Sequence, residues 1–270
     1  MLAVVTDARV AWVTVASRGI GRGAAIALGQ AGWVVYVTAR SSAAGRTTAL
    51  PGTAEETARA VTAAGGQGIA VVCDHRDDGA VAGVAGRITA DRGRLDLLVN
   101  NAWGGYAGLA ARQWDEWTAP FWVQPLSLFD DMFASGVRAH YVALATCAPL
   151  LIATPGSLAV TISVAIPDAE LGSHGVAYAM AKAADDRLAA AAAVKLSEHR
   201  VASVAVYPGW VRTETVLLYA ADLDLAGAQS PEGVGRAITA LAADPDVMAL
   251  TGHAVRVDEL AARYNVDVSA

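Results

Sequence analysis

Apolar positions along the chain come in two alternating rhythms. Six short runs are almost continuously apolar and rich in β-branched residues: "VAWVTV" (10–15), "WVVYVTA" (33–39), "GIAVVC" (68–73), "LDLLVN" (95–100), "GSLAVTIS" (156–163) and "VASVAVY" (201–207). A strand with one wet face alternates apolar and polar residues, whereas a strand covered on both faces does not. These runs therefore read as strands of a buried parallel sheet. Between them lie longer alanine-rich segments with helical character, near 19–31, 53–65, 77–91, 128–153, 175–198 and 231–242. The alternation predicts βαβ units, and right-handed crossovers put helices on both faces of a doubly wound α/β sheet. No repeat or composition break divides the chain, so a single domain over residues 1–270 is expected. Residues 103–127, "WGGYAGLAARQWDEWTAPFWVQPLS", break the rhythm. They hold no clear strand, are rich in Trp, and follow the carboxyl end of the fourth strand, where open α/β sheets bind ligands.

Composition narrows the partners. A chain of 270 residues suits one large α/β domain, and its net charge of -6 lacks the basic surface that nucleic acid requires. In "MLAVVTDARVAW", Asp7 and Arg9 stand where a signal peptide would be apolar. The longest apolar helical run, "YVALATCAPLLIA", is too short to span a bilayer and contains Pro149. A soluble cytoplasmic protein is the expectation, with Cys73 and Cys147 as reduced core thiols. The five histidines lack metal-ligand spacing and read as structural or exposed, so no metal is expected.

Three places carry candidate chemistry. After the first strand, Ser17, Arg18, Gly19, Ile20 and Gly21 lead into a helix whose free N–H groups and dipole favour an anion. Alone, this stretch reads equally as a tight βα turn without a ligand. In "YAMAK", Tyr178 and Lys182 are neighbours on one helix face. A nearby ammonium stabilises a phenolate, so the pair makes a proton donor suited to a carbonyl oxygen. Ser163 ends the preceding strand, and its hydroxyl is placed to polarise the same carbonyl.

"TVASRGIG", "NNA" (100–102), Ser163, "YAMAK" and "YPGWVRTE" (207–214) occur in an order and spacing that resemble the short-chain dehydrogenase/reductase family from about residue 10 to about 255. The resemblance implies a Rossmann-type sheet of about seven strands and hydride transfer between a nicotinamide and a ketone, aldehyde or secondary alcohol. Tyr178 would be the general acid/base, Lys182 would bind the nicotinamide ribose, and Ser163 would orient the carbonyl. Asn101 would line the cleft, Asp74 would bond the adenine amine, and Pro208, Gly209 and Thr213 would close over the carboxamide. Ala39 and Arg40 end the second strand where NAD-preferring members carry an acid, so Arg40, with Arg18, would select NADP(H). The alternative is that both arginines are solvated surface residues. Trp103 and Trp210 are substrate-pocket candidates, while the remaining aromatics of 103–127 fit a pocket wall or a core or dimer surface equally. A homodimer or homotetramer is expected. A non-catalytic dinucleotide-binding or scaffold protein is the alternative function.

Four departures from the family pattern stand out. Val15 replaces the loop's first glycine, and Trp103 replaces the glycine of "NNAG". Gly136 stands where many members use an asparagine to hold a relay water, and "RVDELAARY" replaces a glycine-rich finish.

Overall fold

The computed structural model describes residues 8–105, 119–173, 175–218 and 223–269. Seven strands form one parallel sheet in the order β3-β2-β1-β4-β5-β6-β7. They are β1 (Val10–Val13), β2 (Val34–Ala39), β3 (Gln67–Val72), β4 (Leu97–Asn100), β5 (Leu158–Ile162), β6 (Ala202–Tyr207) and β7 (Ala254–Arg256). The six apolar runs account for β1–β6. The seventh strand, "AVR", has a single buried residue and is too short for its pattern to be visible.

Period-two alternation within each strand sorts the side chains into two cores. Ala11, Val13, Val35, Val37, Val99 and Val160 pack against α1 (Gly19–Gln30), α2 (Ala54–Ala63) and a later helix, Pro231–Ala243. Val10, Trp12, Tyr36, Leu98 and Ala159 pack against α3 (Asp78–Arg92) and the helices that follow β4. The largest buried side chains, Trp12, Trp33 and Tyr36, all sit at β1–β2, so that half of the sheet is densely filled.

The segment expected as one helix over 128–153 is a composite. It runs as α4 (Leu126–Met132), a π-helical stretch Phe133–Arg138, and α5 (Ala139–Ile152). Gly136 lies in the π stretch, and such bulges locally widen the backbone. Next come α6 (Val176–Leu196), α7 (Glu214–Leu217), α8 (Pro231–Ala243) and α9 (Val257–Tyr264), the last formed by the unusual "RVDELAARY" tail. Among the described residues no helix is long and apolar enough to cross a membrane, and no cluster of metal-ligating side chains occurs. Cys73 and Cys147 are buried free thiols. The sheet order reverses between β1 and β4, which opens a crevice at their carboxyl ends.

Candidate active site

The β1–α1 turn forms one wall of that crevice. Thr14 anchors it: its hydroxyl donates to the Val99 carbonyl at 3.2 Å and accepts from the Asn101 and Ala102 N–H groups at 2.8 and 3.1 Å. Asn101 Nδ2 donates back to the carbonyls of Thr14 and Val15. Asn101 therefore ties β4 to the loop through Thr14 and Val15. A Cβ on Gly21 would lie 2.5 Å from Asn101 Nδ2 and 2.8 Å from the Val15 carbonyl oxygen, so the close approach demands glycine. Val15 has φ 49°, a left-handed conformation that is strained for a β-branched residue. The loop geometry that a glycine would adopt freely is thus retained, and Val15 bears the strain.

Ser17 is buried, and Ile20 packs on the core beneath the loop. At the start of α1, Gly19 N–H donates 2.9 Å to a carboxylate oxygen of Glu214. An anionic group on the helix N-terminus is the arrangement a phosphate would make there. Glu214 was not anticipated; it lies 195 residues away in sequence, and only the fold brings it in.

The carboxyl end of β2 collects two cations and three hydroxyls. Arg18 Nη1 donates to Thr48 Oγ1 at 2.8 Å and Nη2 reaches Ser41 Oγ at 3.5 Å, while Ser41 and Thr47 share a 2.9 Å bond. Arg18 Nε is buried without a partner among the described residues. Burial lowers the Arg18 pKa; Glu214 works against this and the Arg40 guanidinium adds to it, so the two arginines repel across the site. Arg40 is exposed and meets Asp74 at 3.9 Å. Burial opposes ionisation of Asp74, but the Arg76 N–H and the guanidiniums of Arg40 and Arg76 outweigh it and hold the carboxyl below its usual range. Two like charges and an unpaired Nε around hydroxyls fit a phosphate group.

The opposite wall is built by α6, β5 and the start of the Trp-rich segment. Trp103 joins Tyr178 and Lys182: its ring meets Tyr178 edge-on at 5.5 Å between centroids, and the Lys182 ammonium sits 4.1 Å from the centroid of its indole. A Cβ on Gly136 would lie 2.9 Å from Trp103 Cε3. The two departures from the family pattern therefore complement each other, since the indole lies against Gly136 where any side chain would intrude. Lys182 Nζ also lies 3.2 Å from Asp185 and 3.5 Å from the Ile162 carbonyl. The other Asp185 oxygen is 2.8 Å from His140 Nδ1.

Ser163 follows β5 directly. Its hydroxyl donates to the main-chain carbonyl of Lys182 at 3.1 Å, and the residue is only 3% exposed. Residue 163 continues the face of Ala159 and Thr161, which is covered by helices. Val164, half-buried beside it, offers no donor. Asp186 lies against Ser163 and Tyr207, and burial raises both its pKa and that of Tyr207.

After β6, Pro208 is buried, Gly209 N–H donates to Gln229 Oε1 at 3.2 Å, and Trp210 is 55% exposed. Thr213 Oγ1 caps α7 by accepting from Val216 N–H, and its methyl faces Gly19. Of the aromatic segment, Phe121 and Trp122 are exposed, which removes them from the core; Tyr106, Trp114 and Trp117 lie outside the described residues.

The chain is similar to proteins already known. A family model described as short chain dehydrogenase matches residues 9–222. The mouse protein named dehydrogenase/reductase SDR family member 1 is similar to the chain, with 35% identity over 94% of this chain and 81% of its own length. A metagenomic short-chain oxidoreductase solved with NADP is 29% identical, with a TM-score of 0.69 over 92% of this chain and 96% of its own. A Brucella melitensis 3-oxoacyl-[acyl-carrier protein] reductase solved with NAD shares the fold, with a TM-score of 0.78 at 23% identity over 93% of this chain and 96% of its own.

Proposed function

The chain belongs to the short-chain dehydrogenase family of oxidoreductases, and from that premise we propose that it interconverts an apolar ketone or aldehyde and its alcohol with NADP(H). When bound, the nicotinamide dinucleotide supplies a hydride to the carbonyl carbon or takes one back. The observation that carries the reading is the placement of Tyr178 and Lys182 around one indole, across the crevice from the anion-ready start of α1.

The chain's own groups divide the work. The N-terminus of α1 receives the diphosphate once the Glu214 carboxylate leaves Gly19. Arg18 and Arg40, with Ser41 and Thr48, take the 2′-phosphate, and this selects NADP(H) over NAD(H). Asp74 holds the adenine side. Tyr178 Oη gives its proton to the carbonyl oxygen during reduction and recovers it during oxidation. The Lys182 ammonium stabilises the phenolate left behind. Trp103 and the exposed Trp210 offer apolar surface to the substrate. Ser163 can reach a substrate oxygen only by giving up the Lys182 carbonyl, so its share is the smaller one.

That inward hydroxyl favours a second reading, a dinucleotide-binding protein without turnover. One experiment separates the two. Tyr178→Phe should lower carbonyl reduction by about 100- to 10,000-fold, while NADPH binding by fluorescence titration stays near the wild-type value. Wild-type turnover in the Phe variant refutes Tyr178 as the acid. A wild-type chain that binds NADPH yet reduces none of a panel of bulky ketones and aldehydes favours the second reading.

A further inference from the structure

Lys182 is buried, and the charge it carries needs a partner. In the pattern the family resemblance implies, an asparagine at position 136 would hold a water of the proton relay. Here that position is Gly136, and the Trp103 indole packs against it. The indole face, 4.1 Å from Nζ, attracts a cation but accepts no ordinary hydrogen bond. The Ile162 carbonyl lies at the long limit of 3.5 Å. What remains is Asp185, one helical turn along α6, with Oδ2 at 3.2 Å. Asp185 is completely buried, and its second oxygen lies 2.8 Å from Nδ1 of His140, itself 1% exposed on α5. An ionised carboxylate only accepts, so Nδ1 of His140 is the donor in this contact. His140 Nε2 has no partner among the described residues. The fold therefore places an oriented carboxylate against the lysine.

We propose that Asp185, oriented by His140, is a positioning residue that keeps the Lys182 ammonium charged and directed at Tyr178. The inference rests on the reading of Tyr178 as the proton donor. A buried ammonium without a countercharge neutralises itself. A neutral amine no longer stabilises the Tyr178 phenolate.

The surrounding groups leave this task to Asp185. Burial pulls the Lys182 pKa down, and Asp185 is the main group pulling it back. Burial raises the Asp185 pKa, but His140 and Lys182 together hold it below the usual range. Asp186, next along α6, faces Ser163 and Tyr207, and burial pushes its pKa up. His75 faces His140 from the end of β3; burial, with His140, brings it down to about 4, which leaves it neutral at working pH. Its Nε2 pairs with Thr38 Oγ1 at 2.9 Å.

The chain offers a direct test. It contains two lysines, Lys182 and Lys195, and Lys195 is exposed near the end of the same helix. In cofactor-free protein labelled with [ε-13C]lysine, two NMR resonances titrate, and Lys195 serves as the internal reference. In the wild-type chain Lys182 is expected to be charged at pH 7. In Asp185→Asn its midpoint should fall by about 1–3 units, with Lys195 unmoved. An unchanged midpoint in the Asn variant overturns the proposal. So does a wild-type Lys182 that is neutral at pH 7, a result that needs no variant to fold. In steady-state reduction, the alkaline limb of the pH profile should move to lower pH in Asp185→Asn, because the lysine charge is lost earlier, and Asp185→Glu should restore part of it. An NMR shift together with an active Tyr178→Phe variant would leave the lysine assignment standing and remove only the proton-donor reading.

Discussion

At the β1–α1 turn, Val15 takes a left-handed backbone conformation by itself. Its neighbour Asn101 makes the side-chain bonds it would make around any residue at position 15, because those bonds use main-chain oxygens. Across the crevice, Trp103 and Gly136, the two positions that the family resemblance marks as departures, pack as a matched pair, with the indole lying against the glycine. Lys182 has Asp185 and the Ile162 carbonyl as its polar partners, and His140 in turn holds Asp185. The wall proposed to hold the cofactor absorbs its departure locally, as strain in one residue. The wall proposed for catalysis absorbs its departures collectively, through contacts between segments far apart in sequence. A change on the first wall should therefore act alone, and a change on the second should propagate.

The largest test of this contrast is Lys182→Ala. It leaves the Asp185 carboxylate buried without its ammonium, and breaking a buried pair in this way is expected to cost about 3–5 kcal/mol. Urea unfolding measures the loss, and a loss under 1 kcal/mol would mean that the catalytic wall is not coupled. Arg40→Asp belongs to the other wall and lies at an exposed position, so stability should barely change. The ratio of NADPH to NADH affinity should instead fall by about ten- to a hundredfold, the worth of one charge-assisted contact. An affinity ratio unchanged from wild type would reduce Arg40 to a surface residue. Val15→Gly should have the smallest effect. Relief of about 1–2 kcal/mol of left-handed strain is partly offset by glycine's chain entropy, leaving about 1 kcal/mol of added stability. Catalytic pH dependence should not change. A destabilised Gly variant would show that the Val15 side chain contributes packing that outweighs its strain.

What could be read from sequence follows the same division. β1–β6, the α1 loop and the Tyr178–Lys182 face were visible because each is a local pattern: an apolar run, a glycine turn, a four-residue spacing. Asn101 was read as lining the cleft, whereas its bonds to the Thr14 and Val15 carbonyls needed the fold to be seen. For Ser163, spacing located the residue just past a strand but not the Lys182 carbonyl that its hydroxyl meets, because that contact comes from another element. Asp185 sits three residues from Lys182, so its proximity was open to inspection; its partner His140 is 45 residues away on another helix. Gly136 looked like a lost relay and Trp103 like a pocket wall while each was taken alone. Only the packing shows that one makes room for the other.

That pairing is the centre of the account, and a double-mutant cycle on it gives the most direct test. Gly136→Asn alone should destabilise the chain, since the new side chain enters space held by Trp103. Trp103→Gly alone should also destabilise it, through lost packing and the lost face beneath Lys182. With both changes together, unfolding free energies should show a favourable coupling of about 1–3 kcal/mol, beyond the roughly 0.5 kcal/mol scatter of independent sites. Losses that simply add, within that scatter, would contradict the claim that the catalytic wall changed as a unit.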